Sequence, residues 1–169
     1  MIGNDIIDLE QAVKESNWLR PGYLNKIFTA DEQSAILTAR DPTVMVWLLW
    51  SCKEAVYKIV HRHTRRRTYA PLHFNCSLSS ETVTHNGQLY PFRSQQTGNC
   101  IHTIAVENKV LFDTLEIHTV DVSGRQQWNI TKDKDGIPDI AGNPVSVSHH
   151  GRYAGLVIKP SSAGNSLIL

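Results

Sequence analysis

The chain has no excess of either charge: 17 Lys and Arg stand against 16 Asp and Glu, a net charge of +1 over 169 residues. That balance carries no nucleic-acid or membrane-surface footprint of its own, so any electrostatic attraction has to be local. Cysteine is scarce and odd in number. Cys52, Cys76 and Cys100 lack C-x-x-C spacing, which argues against a disulfide framework and fits a reducing compartment. No apolar run is long enough to span a bilayer, and the opening MIGNDIIDLE has neither a basic n-region nor a long apolar h-region, so the expected location is cytoplasmic.

Several motif chemistries are missing as well. There is no Walker A sequence and no G-x-G-x-x-G. His61/His63 and His149/His150 have no matching Cys or His set at zinc spacing. Thr131 to Gly136 is similar to the start of a calcium loop, but its first ligand position is Thr131 and its twelfth is Gly142, where Glu is required. No internal repeat, linker or low-complexity run divides the chain, so a single domain over 1–169 is expected.

What is present starts with a long helix. Asp41-Pro42-Thr43 reads as its cap, and Val44 to Trp50 is apolar all round, the mark of a helix entering the interior. It is expected to run to about His61. Within it Trp47, Trp50, Glu54 and Lys58 share a face, while Lys53 lies one step round the cylinder. Ahead of it, Met1 to Leu9 reads as a strand, Gln11 to Trp18 as helical, and Thr29 with Glu32 as a capping box opening a helix to about Arg40.

From Phe74 the pattern changes to alternation and turns. Phe74–Leu78, Glu81–Tyr90, Cys100–Val106 and Val110–Val120 read as strands, with hairpin turns at His85-Asn86-Gly87 and Glu107-Asn108-Lys109. Trp128 to Thr131 reads as a further strand, Lys132 to Gly142 as a loop, and Val145–Ser148 with Ala154–Ile158 as a last hairpin. The tail from Pro160 is expected to be loose. The fold class is therefore α+β, an antiparallel sheet packed on a long buried helix.

Three segments carry the chemistry. Gly3-Asn4-Asp5 sits in the first strand. Trp50-Ser51-Cys52-Lys53-Glu54-Ala55-Val56-Tyr57-Lys58 places a carboxylate between lysines on the buried helix, and Ser146-Val147-Ser148-His149 leads to Tyr153-Ala154 near the end. Together they resemble the 4′-phosphopantetheinyl transferases, whose signatures are G-x-D, W-x-x-K-E-A-x-x-K and S-x-S-H-x-x-x-Y-A. Phe28 to Glu32 resembles the family's F-x-x-x-E element, and Gly136-Ile137-Pro138 its G-x-P turn. The order of motifs, and an acidic Asp8 three residues after Asp5 with Ile7 at +2, is similar to the holo-acyl-carrier-protein synthase type. The chain departs from that type in two ways: Asn4 replaces the usual aliphatic residue, and a β-rich insertion occupies about 74–130.

The resemblance implies a magnesium-dependent transferase acting on coenzyme A and on a serine of an apo acyl or peptidyl carrier protein, as in fatty acid or polyketide biosynthesis. Asp5 and Glu54 are the implied Mg²⁺ ligands, which suits a hard ion that takes few carboxylates plus waters. Lys53 and Lys58 are implied phosphate partners, with helix charge pairing as the alternative. Glu54 is the first choice of general base and Glu32 the second, the latter also readable as the capping-box acid. Ser148 and His149 are implied coenzyme contacts; Arg152 meets either a 3′-phosphate or solvent. The basic run His61 to Arg67 is either a solvated helix end or a contact for the 3′-phosphate or an acidic carrier protein. Its few flanking aromatics make no stacking platform for nucleic acid. A homo-oligomer is expected, a trimer by resemblance. A non-catalytic module that binds coenzyme A or a carrier protein is the alternative function.

Overall fold

A computed structural model describes residues 1–122 and 128–160. Among the described residues ten strands form two five-stranded antiparallel sheets where the sequence reading expects one. The first has the order β1 (Ile2–Asp8), β5 (Cys100–Val106), β4 (Gln88–Thr97), β3 (Thr82–His85), β2 (Phe74–Ser77); the second runs β6 (Glu116–Asp121), β10 (Tyr153–Ile158), β9 (Asn143–His150), β8 (Pro138–Ile140), β7 (Thr131–Lys132). Four helices, α1 (Leu9–Glu15), α2 (Tyr23–Ile27), α3 (Ala30–Thr38) and α4 (Pro42–Thr64), lie between β1 and β2 in the chain.

Helix α4 is the organising element. Asp41 caps it by accepting from the Val44 N–H, Pro42 sits in its first turn, and Arg65 ends it in the left-handed conformation at φ 58°. Its inward face, including Val46, Leu49, Cys52, Val56 and Ile59, is sealed from water against the first sheet. Each such side chain contributes on the order of 2 kcal/mol. The approach of α4 to β1 is close enough to dictate a residue: a Cβ on Gly3 would lie 2.0 Å from the carbonyl oxygen of Ala55. The glycine of G-x-D and the alanine of K-E-A are therefore two sides of one contact.

Residues 74–106 are built into this core. β5 pairs with β1 along its whole length, from Ile2 opposite Val106 to Asp8 opposite Cys100. β4 extends to Thr97, beyond the expected Tyr90, because its polar end pairs with β5. The first part of the expected strand Val110–Val120 is instead a 3-10 turn, Lys109–Thr114, whose Phe112 packs with Ile2, Ile104 and Val157 between the sheets. The expected loop 132–142 contains β8, and Trp128 to Ile130 precedes β7 without being strand. The expectation of a loose tail falls on 161–169, outside the described residues. No helix among the described residues is long and apolar enough to cross a membrane.

The sheets meet at β1 in an unusual way. β1 is buried at every position, yet its second edge is met by side chains and not by a strand backbone. The Asn4 N–H donates to Ser146 Oγ at 2.9 Å, the Ile6 N–H to Ser148 Oγ at 3.2 Å, and the Asp8 N–H to His150 Nδ1 at 2.9 Å. Alternate residues of β1 meet alternate residues of β9, so the period of two in S-x-S-x-H satisfies donors that would otherwise be orphaned.

Candidate active site

The ladder between β1 and β9 fixes Asp5. Its Oδ1 accepts from Ser148 Oγ at 2.9 Å and from the Lys58 ammonium at 3.2 Å, and Lys58 also donates to the Asn4 carbonyl at 2.6 Å. Asp5 Oδ2 is buried and has no hydrogen-bond partner among the described residues. One oxygen is thus held and the other is left available.

Glu54, one turn before Lys58 on α4, makes no hydrogen bond among the described residues. Burial pushes its carboxyl pKa up to about 7, the nearby Asp5 charge adds to the rise, and Lys58 opposes it. Two carboxylates side by side with one lysine form a site short of positive charge. No cluster of three acidic, Cys or His side chains that could hold a metal occurs among the described residues. The orphaned Asp5 Oδ2 and the desolvated Glu54 nevertheless fit Mg²⁺, which is commonly held by one or two carboxylates with water and phosphate oxygens completing its shell.

A cleft of about 860 Å³ opens beside this pair. Asp5 and Glu54 do not line it. Lys58 does, so its side chain joins the carboxylates to the cleft. One wall carries Lys58, His61 and Arg62 from α4 with His149 from β9; the other is the segment Trp128 to Pro138, including Lys132. Both walls belong to one copy of the chain.

The other expected residues sort themselves by geometry. Lys53 does not face the carboxylate pair: fully buried, it binds Glu32 at 2.6 Å and donates to the carbonyls of Ile27 and Pro71. Glu32 is occupied as well, accepting from the Thr29 N–H in the capping box and from the Cys76 N–H. Lys53, expected at the phosphates, and Glu32, expected as second choice of base, are thus engaged with each other and with backbone groups away from Asp5 and Glu54. Arg152, expected at a 3′-phosphate or in solvent, meets a carboxylate. It grips Asp8 through Nε and Nη2 at 2.8 and 2.9 Å, and Asp8 is held well below the usual carboxylate range by it. Asp8 thus points away from Asp5. Ser148 is buried and does not line the cleft, so it positions Asp5 without forming the cleft wall, whereas His149 is exposed at the cleft. Within α4, Lys58 forms its ion pair with Asp5 and not with Glu54.

One feature escaped the sequence reading. Asn4 Nδ2 donates to His102 Nε2 at 3.0 Å, so His102 carries its proton on Nδ1 and donates to Thr119 Oγ1 at 2.8 Å. Burial and the Lys58 charge keep this imidazole neutral, with its pKa down to about 4. Only the departure at Asn4 hinted at such a network. His61, the first residue of the basic run, lines the cleft, and its Nε2 is buried with no partner among the described residues.

A family model described as the 4′-phosphopantetheinyl transferase superfamily matches residues 1–120. No curated protein and no solved structure matches the chain.

Proposed function

Because the chain belongs to the 4′-phosphopantetheinyl transferase superfamily, we propose that it moves the 4′-phosphopantetheine group of coenzyme A to a serine of an acidic apo carrier protein. The observation that carries this reading is the Asp5–Lys58 pair with Glu54 beside it, set against a cleft of nucleotide size.

In this reading Asp5 and Glu54 hold Mg²⁺, which when bound supplies neutralisation of charge on the pyrophosphate oxygens. Lys58 presents its ammonium to the same phosphates from the cleft side. The carrier serine oxygen forms a bond to the β-phosphorus, the bridging P–O bond to the nucleotide breaks, and 3′,5′-ADP leaves with that oxygen. The serine proton goes to Glu54. Burial and the Asp5 charge raise its proton affinity in the metal-free chain, and a bound Mg²⁺ would lower it. Asp5 stays oriented throughout by Ser148.

A module that only binds coenzyme A would have no use for two desolvated carboxylates, whose mutual repulsion disfavours the folded state. Incubation with coenzyme A, Mg²⁺ and a panel of apo carrier proteins, read by mass spectrometry of the serine, tests the choice. Transfer supports the enzyme; its absence with every carrier from a folded protein supports the module. Assembly as a homo-oligomer, a trimer by resemblance, stays part of the proposal. Light scattering with coenzyme A bound tests it, and an active monomer would remove it.

A further inference from the structure

The basic run after Lys58 is the strongest charge cluster of the sequence, and two of its arginines, Arg65 and Arg67, engage one hairpin. Arg65 Nη1 donates to Asp133 Oδ2 at 2.5 Å and to Asp135 Oδ2 at 3.2 Å, and Arg67 Nη2 donates to the Asp135 carbonyl at 2.7 Å. Asp133 is doubly used: its Oδ1 accepts from the N–H groups of Asp135 and Ile137 at 2.9 Å each, which shapes the turn between β7 and β8. Gly136 takes φ 79° in that turn, and a Cβ there would meet Arg67 Nη2 at 2.7 Å. The end of α4 and the β7–β8 turn are therefore clamped together by side chains from both.

That clamp joins two parts of the cleft lining, since β7 carries Lys132 and α4 carries His61. Other cleft cations are already engaged. Lys58 holds Asp5, and Arg62 Nη2 donates to the Val145 carbonyl. His61 Nε2 and the Lys132 ammonium have no hydrogen-bond or ion-pair partner among the described residues. His61 follows Lys58 by three residues, about 4.5 Å along the helix axis. An anion bound between His61 and Lys132 thus sits about one helical turn outward from the group bound at Lys58.

Resting on the proposed transferase reading, we propose that the β7–β8 hairpin is the outer wall of the coenzyme site within a single copy of the chain. His61 and Lys132 take the outlying phosphate monoester of the nucleotide. Arg65 and Arg67 touch no ligand; they are positioning residues that hold the wall at its working distance. These wall residues lie beyond the 1–120 matched by the family, apart from those on α4.

The test is calorimetric binding of 3′,5′-ADP and 5′-AMP, together with steady-state transfer from coenzyme A. Lys132→Ala and His61→Gln should each weaken 3′,5′-ADP about tenfold, the scale of one charge-assisted hydrogen bond, with 5′-AMP changed by less than about twofold. Arg65→Ala should raise KM for coenzyme A severalfold with kcat much less affected, and Arg65→Lys should restore most of the loss. High salt should mimic Arg65→Ala, because these ion pairs are exposed. Equal loss of both nucleotides in Lys132→Ala and His61→Gln, or unchanged KM in Arg65→Ala, overturns the inference while leaving the transferase intact. A wild-type protein that neither binds these nucleotides nor transfers phosphopantetheine overturns both.

Discussion

Ser148 Oγ donates to Asp5 Oδ1 at 2.9 Å while accepting from the Ile6 N–H at 3.2 Å. One hydroxyl thus joins the two sheets and aims the acidic side chain. Ser148→Ala should lower transfer at fixed coenzyme A and cost about 1–3 kcal/mol of stability, because a buried N–H loses its acceptor. Denaturant titration and the transfer assay on the same preparation check it. Asp5→Ala, by contrast, should abolish transfer in a protein that remains folded. Near-normal turnover at saturating Mg²⁺ would show that Asp5 is not a ligand.

Glu54 gives a pH dependence of defined sign. A free glutamate ionises near 4.5 and the folded Glu54 near 7, so between those values the folded chain retains a proton that the unfolded chain has released. The stability conferred by that proton is complete below pH 4.5 and is lost as pH rises through 7. Glu54→Gln should therefore match wild type near pH 5 and exceed it near pH 8, by on the order of 1 kcal/mol or about 2–4 °C. Added Mg²⁺ should stabilise the wild type at pH 8 and leave Glu54→Gln much less affected. Thermal melts at the two pH values decide it; a wild type that is equally stable at both would contradict the raised pKa.

The Lys53–Glu32 pair gives a stability phenotype without a binding phenotype. Both side chains are shut away from water, so removing one strands the other's charge at a cost of about 3–5 kcal/mol. Lys53→Met should show that loss in urea unfolding. The fraction that remains folded should bind coenzyme A as the wild type does. Weakened affinity in that fraction would return Lys53 to the phosphates.

Gly3 offers the sharpest steric test. Its missing Cβ would fall on the Ala55 carbonyl, backbone that cannot rotate away, so Gly3→Ala should destabilise by about 3 kcal/mol or more. Circular dichroism melts would expose the shift, and a melt within a degree of wild type would mean that β1 and α4 can separate.

Much of this was legible because local pattern encodes it. The apolar run from Val44, the cap at Asp41 and the Thr29–Glu32 capping box all act within a few residues, and α4 and α3 appear with nearly the expected limits. Residue identity at Asp5, Glu54 and Lys58 also sufficed to bring them together as a site. What escaped depends on partners far along the chain. Lys53 is one helical step from Glu54, about 100° round the cylinder, and that step turns it to Ile27, Glu32 and Pro71. The division into two sheets escaped because the turn at Lys109–Thr114 is apolar enough to read as strand. The pairing of Arg65 and Arg67 with the β7–β8 turn escaped because helical position says nothing of a hairpin so far along the chain.

β9 alternates its duties residue by residue. Ser146, Ser148 and His150 face β1, and His149 between them is exposed at the cleft. A slip of one position would turn Val147 towards the β1 amides, where an aliphatic group can accept nothing, and would withdraw the hydroxyl from Asp5. Proofreading of the strand is thereby built into the chemistry: a chain that has closed in the wrong register cannot also aim its carboxylate, so catalytic competence reports correct closure of the two sheets.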